Sequence, residues 1–154
     1  MNKELFFLRS SEQNIVKSMY KYAYKDESDF NKLTDFYGLS TKDLGLYALV
    51  DNKIAGAIWS RELDEYDVPL LSVAIVNEFK GEGVGAFMME QFLQEAASRY
   101  EKLFIDISHK PKALSFYKKF GFVQENGSLL LSKMLEKKEV IRPSDGYDPT
   151  KWMD

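Results

Sequence analysis

Val73-Ala-Ile-Val-Asn-Glu-Phe-Lys80-Gly-Glu-Gly-Val-Gly85-Ala-Phe87 is the most informative stretch of the sequence. An apolar, β-prone run stops at polar residues, glycines alternate at 81, 83 and 85, and an amphipathic pattern begins at once. This order predicts a strand, a tight turn and a helix N-terminus. The first turn of a helix has N–H groups without partners and carries the positive end of the macrodipole. Glycines that allow close approach therefore make a compact anion site there, and phosphate is its obvious occupant.

Toward the C-terminus, the helix is predicted to run to about residue 98. Val84, Phe87, Met88, Phe92, Leu93, Ala96 and Ala97 form an apolar stripe, with Glu82, Glu90, Gln91, Gln94 and Glu95 facing water. Leu103-Phe-Ile-Asp-Ile107 reads as the next strand, and a strand–helix–strand unit of this length makes a parallel pair by right-handed crossover. Pro111 suits the start of a further helix, with Ala113, Leu114, Phe116, Tyr117 and Phe120 as its inner face and Gly121 as its stop. Residues 122–124 and 128–135 are strands around Asn126-Gly127, a strong hairpin signal.

Toward the N-terminus, Glu62 to Asp67 reads as an acidic surface loop before Pro69. Residues 70–76 are apolar on both faces, which predicts a central strand. The runs 46–50 and 54–59, joined by Asp51-Asn52-Lys53, form a hairpin. A first strand is predicted over residues 3–9. Ser10 and Gln13 then fit a capping box that opens a helix burying Ile15, Met19, Tyr22 and Ala23. A short second helix is predicted from Ser28 to Tyr37, with Phe30, Leu33, Phe36 and Tyr37 inward and Gly38 ending it. From Glu136 the pattern is lost, which predicts a single domain of residues 1–135 and a tail, 136–154, that is part of the same domain or loosely ordered.

The 154 residues suit one domain, and 45% hydrophobic with 29% charged residues describes a soluble globular protein. A net charge of −3 with scattered lysines argues against a nucleic-acid footprint. Long apolar spans are absent, and the apolar run in residues 1–9 is too short for a signal peptide and carries Glu4, so a cytoplasmic location is expected, with no membrane partner. There is no cysteine and one histidine, which argues against disulfides, thiolate chemistry and a transition-metal centre.

Taken alone, the glycine spacing is neither the dinucleotide fingerprint nor a P-loop, and it could serve only a tight turn. A second motif follows about thirty residues later, with Ala113, Tyr117, Gly121 and Phe122 at intervals of four, four and one. Together with Ile75 and Lys80-Gly-Glu-Gly-Val-Gly-Ala86, in this order, the sequence resembles the GCN5-related N-acetyltransferases, the GNAT family. Over residues 3–135 the resemblance implies an α/β (α+β) fold: a mixed, mostly antiparallel twisted sheet of about seven strands flanked by about four helices. A splayed parallel pair of strands would form the cofactor cleft.

The resemblance further implies acetyl-CoA as donor, its pyrophosphate on the N–H groups of Gly81, Glu82, Gly83, Val84, Gly85 and Ala86. Val73 and Ile75 would then line the pantetheine arm, and the N–H near Ile75 would polarise the thioester carbonyl. Lys80 stands where the family has Arg or Gln and can meet a phosphate oxygen as a point charge. Lys110, where the family often has Asn, reads as a solvated lysine. Tyr117 is the candidate general acid for the departing thiolate, the alternative being a packing role.

Many family members carry a Glu on the central strand where this protein has Leu70, and leucine cannot act as a base. Glu62, Asp64, Glu65 and Asp67, or a relay of waters ending on Asp106 or Ser72, are the substitutes. His109 reads as a surface or capping residue.

The expected function is direct acetyl transfer to a primary amine. Tyr20, Tyr22, Tyr24 and Tyr37, with Glu27, Asp29, Glu62 and Asp64, favour a cationic small molecule or a peptide or protein amine as acceptor. The alternatives are a non-catalytic acyl-CoA-binding or sensing module, kept open by Leu70, and more remotely an unrelated phosphate-ligand protein. Homodimers are common in the resembled family, and the sequence leaves the assembly state open.

Overall fold

Two tight turns set the register of the strands on either side of them. Asp51 and Asn52 have φ of 50° and 69°, and Asn126 and Gly127 have φ of 52° and 72°. Consecutive positive φ values reverse the backbone with the twist that antiparallel strands need, and Asn, Asp and Gly tolerate them best. The computed structural model describes residues 2–24, 30–34, 43–62 and 69–136. Their strands are β1 (Lys3–Phe7), β2 (Leu44–Val50), β3 (Lys53–Glu62), β4 (Pro69–Ile75), β5 (Lys102–Asp106), β6 (Val123–Gln124) and β7 (Leu130–Met134). They form one seven-stranded sheet in the order β1-β2-β3-β4-β5-β7-β6. All neighbours are antiparallel except β4 and β5.

The sheet is covered on both faces, which is why β4 reads as a continuous apolar run. Alternation sends Leu71, Val73 and Ile75 to one face, where they pack with α3 (Val84–Ala96) and α4 (Leu114–Lys119). Ala74 and Leu70 go to the other, against α1 (Gln13–Ala23) and α2 (Phe30–Thr34). Phe92, Met88, Met89, Leu71 and Leu103 are fully buried on the α3 side. Burial of each of these residues stabilises the fold by about 1.5–3 kcal/mol.

Three local expectations are corrected. The backbone N–H of Arg9 donates to Glu12 Oε1 at 2.8 Å, so the capping contact before α1 uses Arg9 and Glu12 rather than Ser10 and Gln13, and a 3-10 turn over Ser10–Glu12 precedes the helix. The buried residues of α1 are Val16, Met19, Tyr20 and Ala23, a strict i, i+3, i+4, i+7 stripe; Ile15 and Tyr22 lie at its margin and are half-buried. Glu95 is 1% exposed rather than facing water. It follows Phe92 by three residues and Met88 by seven, so helical geometry turns it inward whatever its polarity, and its carboxylate accepts a 3.4 Å hydrogen bond from Gln91 Nε2. Of the second helix, Ser28, Phe36 and Tyr37 lie outside the described residues, as does the tail beyond residue 136.

Gly56 in β3 lies opposite Ile75 of β4. A Cβ there would meet the backbone oxygen of Ala74 at 2.6 Å and Met88 Cε at 3.0 Å. Backbone cannot retreat as the tip of a side chain can, so Gly56→Ala is expected to destabilise the fold by about 1–3 kcal/mol. An unchanged thermal midpoint would contradict this packing.

Candidate active site

The parallel pair is where the sheet opens. Leu70 pairs with Phe104, and that is the extent of the β4–β5 register. Beyond it, the Val76 N–H donates to Ala55 C=O at 2.8 Å, on the β3 side. Successive N–H groups of a strand point to opposite edges, so those of Ile75 and Val73 face the edge that β5 has left. An extended ligand arm finds strand-like donors there, as in β-augmentation.

β4 runs through a 3-10 turn, Asn77–Phe79, into the glycine loop. Gly81 and Gly83 have φ of 82° and 80°, a region in which a Cβ is strained. The first bond of α3 runs from the Phe87 N–H to Gly83 C=O at 3.0 Å, which leaves the N–H groups of Val84, Gly85 and Ala86 over in the first turn. Glu82 is exposed, as are Gly81 and Gly83. Lys80 is exposed too, and its own N–H is already bonded to Asn77 C=O at 3.3 Å. Gly85 has a different duty. A Cβ there would meet Ile75 Cδ1 at 3.0 Å and Phe116 Cζ at 3.2 Å, so its absence lets β4 and α4 close on the helix start.

Phe116 is the neighbour of Tyr117, which brings the second motif to the first. Tyr117 is buried, its ring held edge-on by Phe116 at 5.1 Å and Phe122 at 5.7 Å. Burial pushes its phenol well above the ordinary value, so it keeps its proton.

On the other side of the opening, Tyr24, just past α1, and Ser72 of β4 share a hydrogen bond of 2.6 Å. Tyr24 stacks on Tyr20 at 4.7 Å and lies against His109 at 4.4 Å. Burial raises the Tyr24 phenol, its bond to Ser72 opposes the rise, and the nearness of Tyr117, Tyr20 and Asp106 adds to it. The two phenols thus approach the gap from opposite faces of the sheet.

His109 is a half-buried wall of this cluster rather than a surface residue. Lys110 is not a solvated lysine: its Nζ donates to the C=O of Tyr22, in the last turn of α1, where a cation also meets the negative end of the helix. Asp106 Oδ1 accepts the Ser108 N–H at 2.9 Å.

Leu70 is buried with Tyr20 and Leu33, and Phe104, Phe30 and Tyr24 pack around it, so the strand position aligned with a base sits in a largely aromatic cluster among the described residues. Glu62 ends β3 and is exposed. Tyr37, Glu27, Asp29, Asp64, Glu65 and Asp67 lie outside the described residues.

Sequence reasoning brought Tyr117 and the glycine loop forward, but not the Tyr24–Ser72 pair, whose members are 48 residues apart. The nearby Tyr22 and Tyr24 were legible only as aromatic surface.

A sequence model of the family described as "Acetyltransferase (GNAT) domain" matches residues 11–132. The protein belongs to the GNAT acetyltransferase family. No curated protein matches it in sequence. Among solved structures it is similar to the ribosomal-protein-S18-alanine N-acetyltransferase of Escherichia coli, with a TM-score of 0.66 and 13% identity over 90% of this protein and 97% of that one. It is also similar to the IAA acetyltransferase of Bacillus cereus, with a TM-score of 0.66 and 17% identity over 87% and 100%. The PaiA N-acetyltransferase of Thermoplasma acidophilum, solved in complex with coenzyme A, gives 0.61 and 15% over 87% and 99%. At these identities the likeness is one of fold. None of the helices among the described residues is long and apolar enough to cross a membrane.

Proposed function

We propose that the protein transfers an acetyl group from acetyl-CoA directly to a primary amine. The observation that carries this reading is the parting of β4 from β5 after Leu70 and Phe104, with backbone donors on one lip and Tyr117 buried beside it. The resident chemistry of the donor is an activated thioester, and the residues here fit such a molecule. The PaiA enzyme, solved with coenzyme A, lends the cofactor assignment further support.

Each part of the cleft has one task. The N–H groups of Gly81 to Ala86 hold the pyrophosphate, with Glu82 supplying only its backbone. Val73 and Ile75 align the pantetheine arm, and the Ile75 N–H stands where a thioester oxygen gathers charge. Tyr117 donates a hydrogen bond to the sulfur as the carbon–sulfur bond breaks.

The amine approaches from the Tyr24–Ser72 side, where a shared hydroxyl pair and the half-buried rings of Tyr24 and His109 suit a cationic group. With Leu70 at the strand position, the amine proton leaves through water, with Asp106 and His109 beside Tyr24 as the titratable groups near its path. A cationic small molecule or a peptide or protein amine is the acceptor class. We place this chemistry in the cytoplasm, in an enzyme that needs no metal.

The test is release of free thiol from acetyl-CoA by the purified protein with polyamines, aminoglycosides, amino acids and peptides as acceptors. Turnover with at least one amine is expected at rates well above the uncatalysed background. Tight calorimetric binding of CoA with no turnover across the panel would replace this reading with an acyl-CoA-binding module.

A further inference from the structure

The glycine loop is braced by a residue that no motif includes. Lys3 opens β1 at the edge of the sheet, and its Nζ donates a 2.8 Å hydrogen bond to the backbone carbonyl oxygen of Glu82. A Cβ placed on Gly83 would lie 3.6 Å from the same nitrogen, so the ammonium rests against the peptide that joins Glu82 to Gly83. That peptide is trans, as are all those described, and in a trans peptide the C=O and N–H point in opposite directions. With the carbonyl turned to Lys3, the Gly83 N–H is turned away from it. A full positive charge on the carbonyl also polarises the peptide and makes that N–H a stronger donor.

The charges at the turn agree with this role. Glu78 and Glu82 are exposed on the turn and would repel a phosphate, whereas Lys80 and Lys3 bring two cations to the same place. Without Lys3, the carboxylates of the loop outnumber its lysine.

We propose that Lys3 is a positioning residue for the pyrophosphate of an acyl-CoA. It holds the Glu82–Gly83 peptide with its N–H outward and offsets the loop's carboxylates. The inference rests on the acyl-CoA reading above.

The test is calorimetric titration of the full-length protein with CoA, comparing wild type with Lys3→Met and Lys3→Arg at two salt concentrations. Lys3→Met is expected to weaken binding about five- to tenfold at low salt and less at high salt, since a charge-assisted contact at an exposed site is partly screened. Lys3→Arg, which keeps both donor and charge, is expected to stay within about twofold of wild type. The thermal midpoint of each apo variant is expected to match wild type. Equal CoA affinity in wild type and Lys3→Met overturns the role of Lys3 alone. Equal weakening in both variants, with lowered midpoints, marks a purely structural brace and overturns it as well. Absence of CoA binding by wild type overturns the acyl-CoA reading and this inference with it.

Discussion

Tyr117→Phe is expected to lower kcat for acetyl transfer by about 100-fold or more, the range for loss of a positioned proton donor, while the KM for acetyl-CoA stays within a few-fold. The ring is held by Phe116 and Phe122, so phenylalanine fills the same space and the change isolates the hydroxyl. The pH profile gives an independent check. Burial raises the Tyr117 phenol, and a donor acts only while protonated, so this residue imposes no alkaline fall in rate below about pH 10, the ordinary tyrosine value. The rate should rise from acid as the amine sheds its proton and then level off. Full activity in Tyr117→Phe, measured by thiol release, would remove the residue from the chemistry and leave it a packing role only.

Trp59→Ala is expected to cost about 3–5 kcal/mol, because the indole is fully buried and nothing nearby can fill the volume it leaves. Trp59 packs with Leu8, Val16, Met19, Ala23 and Ala74, and its indole N–H donates to the Leu33 C=O at 2.9 Å. The substitution therefore removes packing beneath α1 and also strands a carbonyl of α2. For a protein of this size the thermal midpoint should fall by roughly 10 °C, read by circular dichroism. Because α1 leads into Tyr24 on the proposed acceptor side, the KM for the amine should rise more than that for acetyl-CoA. A midpoint within about 2 °C of wild type would contradict the burial described for Trp59.

The fold was legible wherever a residue type carries its own geometry. Asn126-Gly127 and Asp51-Asn52 announce hairpins because few residues accept consecutive positive φ, and both turns fall where the sequence puts them. The both-face apolar run of β4 announces a covered central strand for the same kind of local reason. Legibility failed where polarity and position disagree. Glu95 reads as solvent-facing by type and is buried by its place on the helix. Arg9 and Glu12 make the capping contact that Ser10 and Gln13 advertise. Lys110 looked solvated until the end of α1 came within its reach.

The sequence by itself determined the family, the order of strands and helices, and the glycine turn that leads into α3, since each depends on spacing within a few residues. Only the tertiary structure decided how the opening is furnished. That Gly85 lets β4 and α4 meet, that Tyr24 binds Ser72 across from Tyr117, and that Lys3 reaches Glu82 are contacts between residues 10 to 79 positions apart. Such distances close only when the sheet forms, and no local periodicity records them.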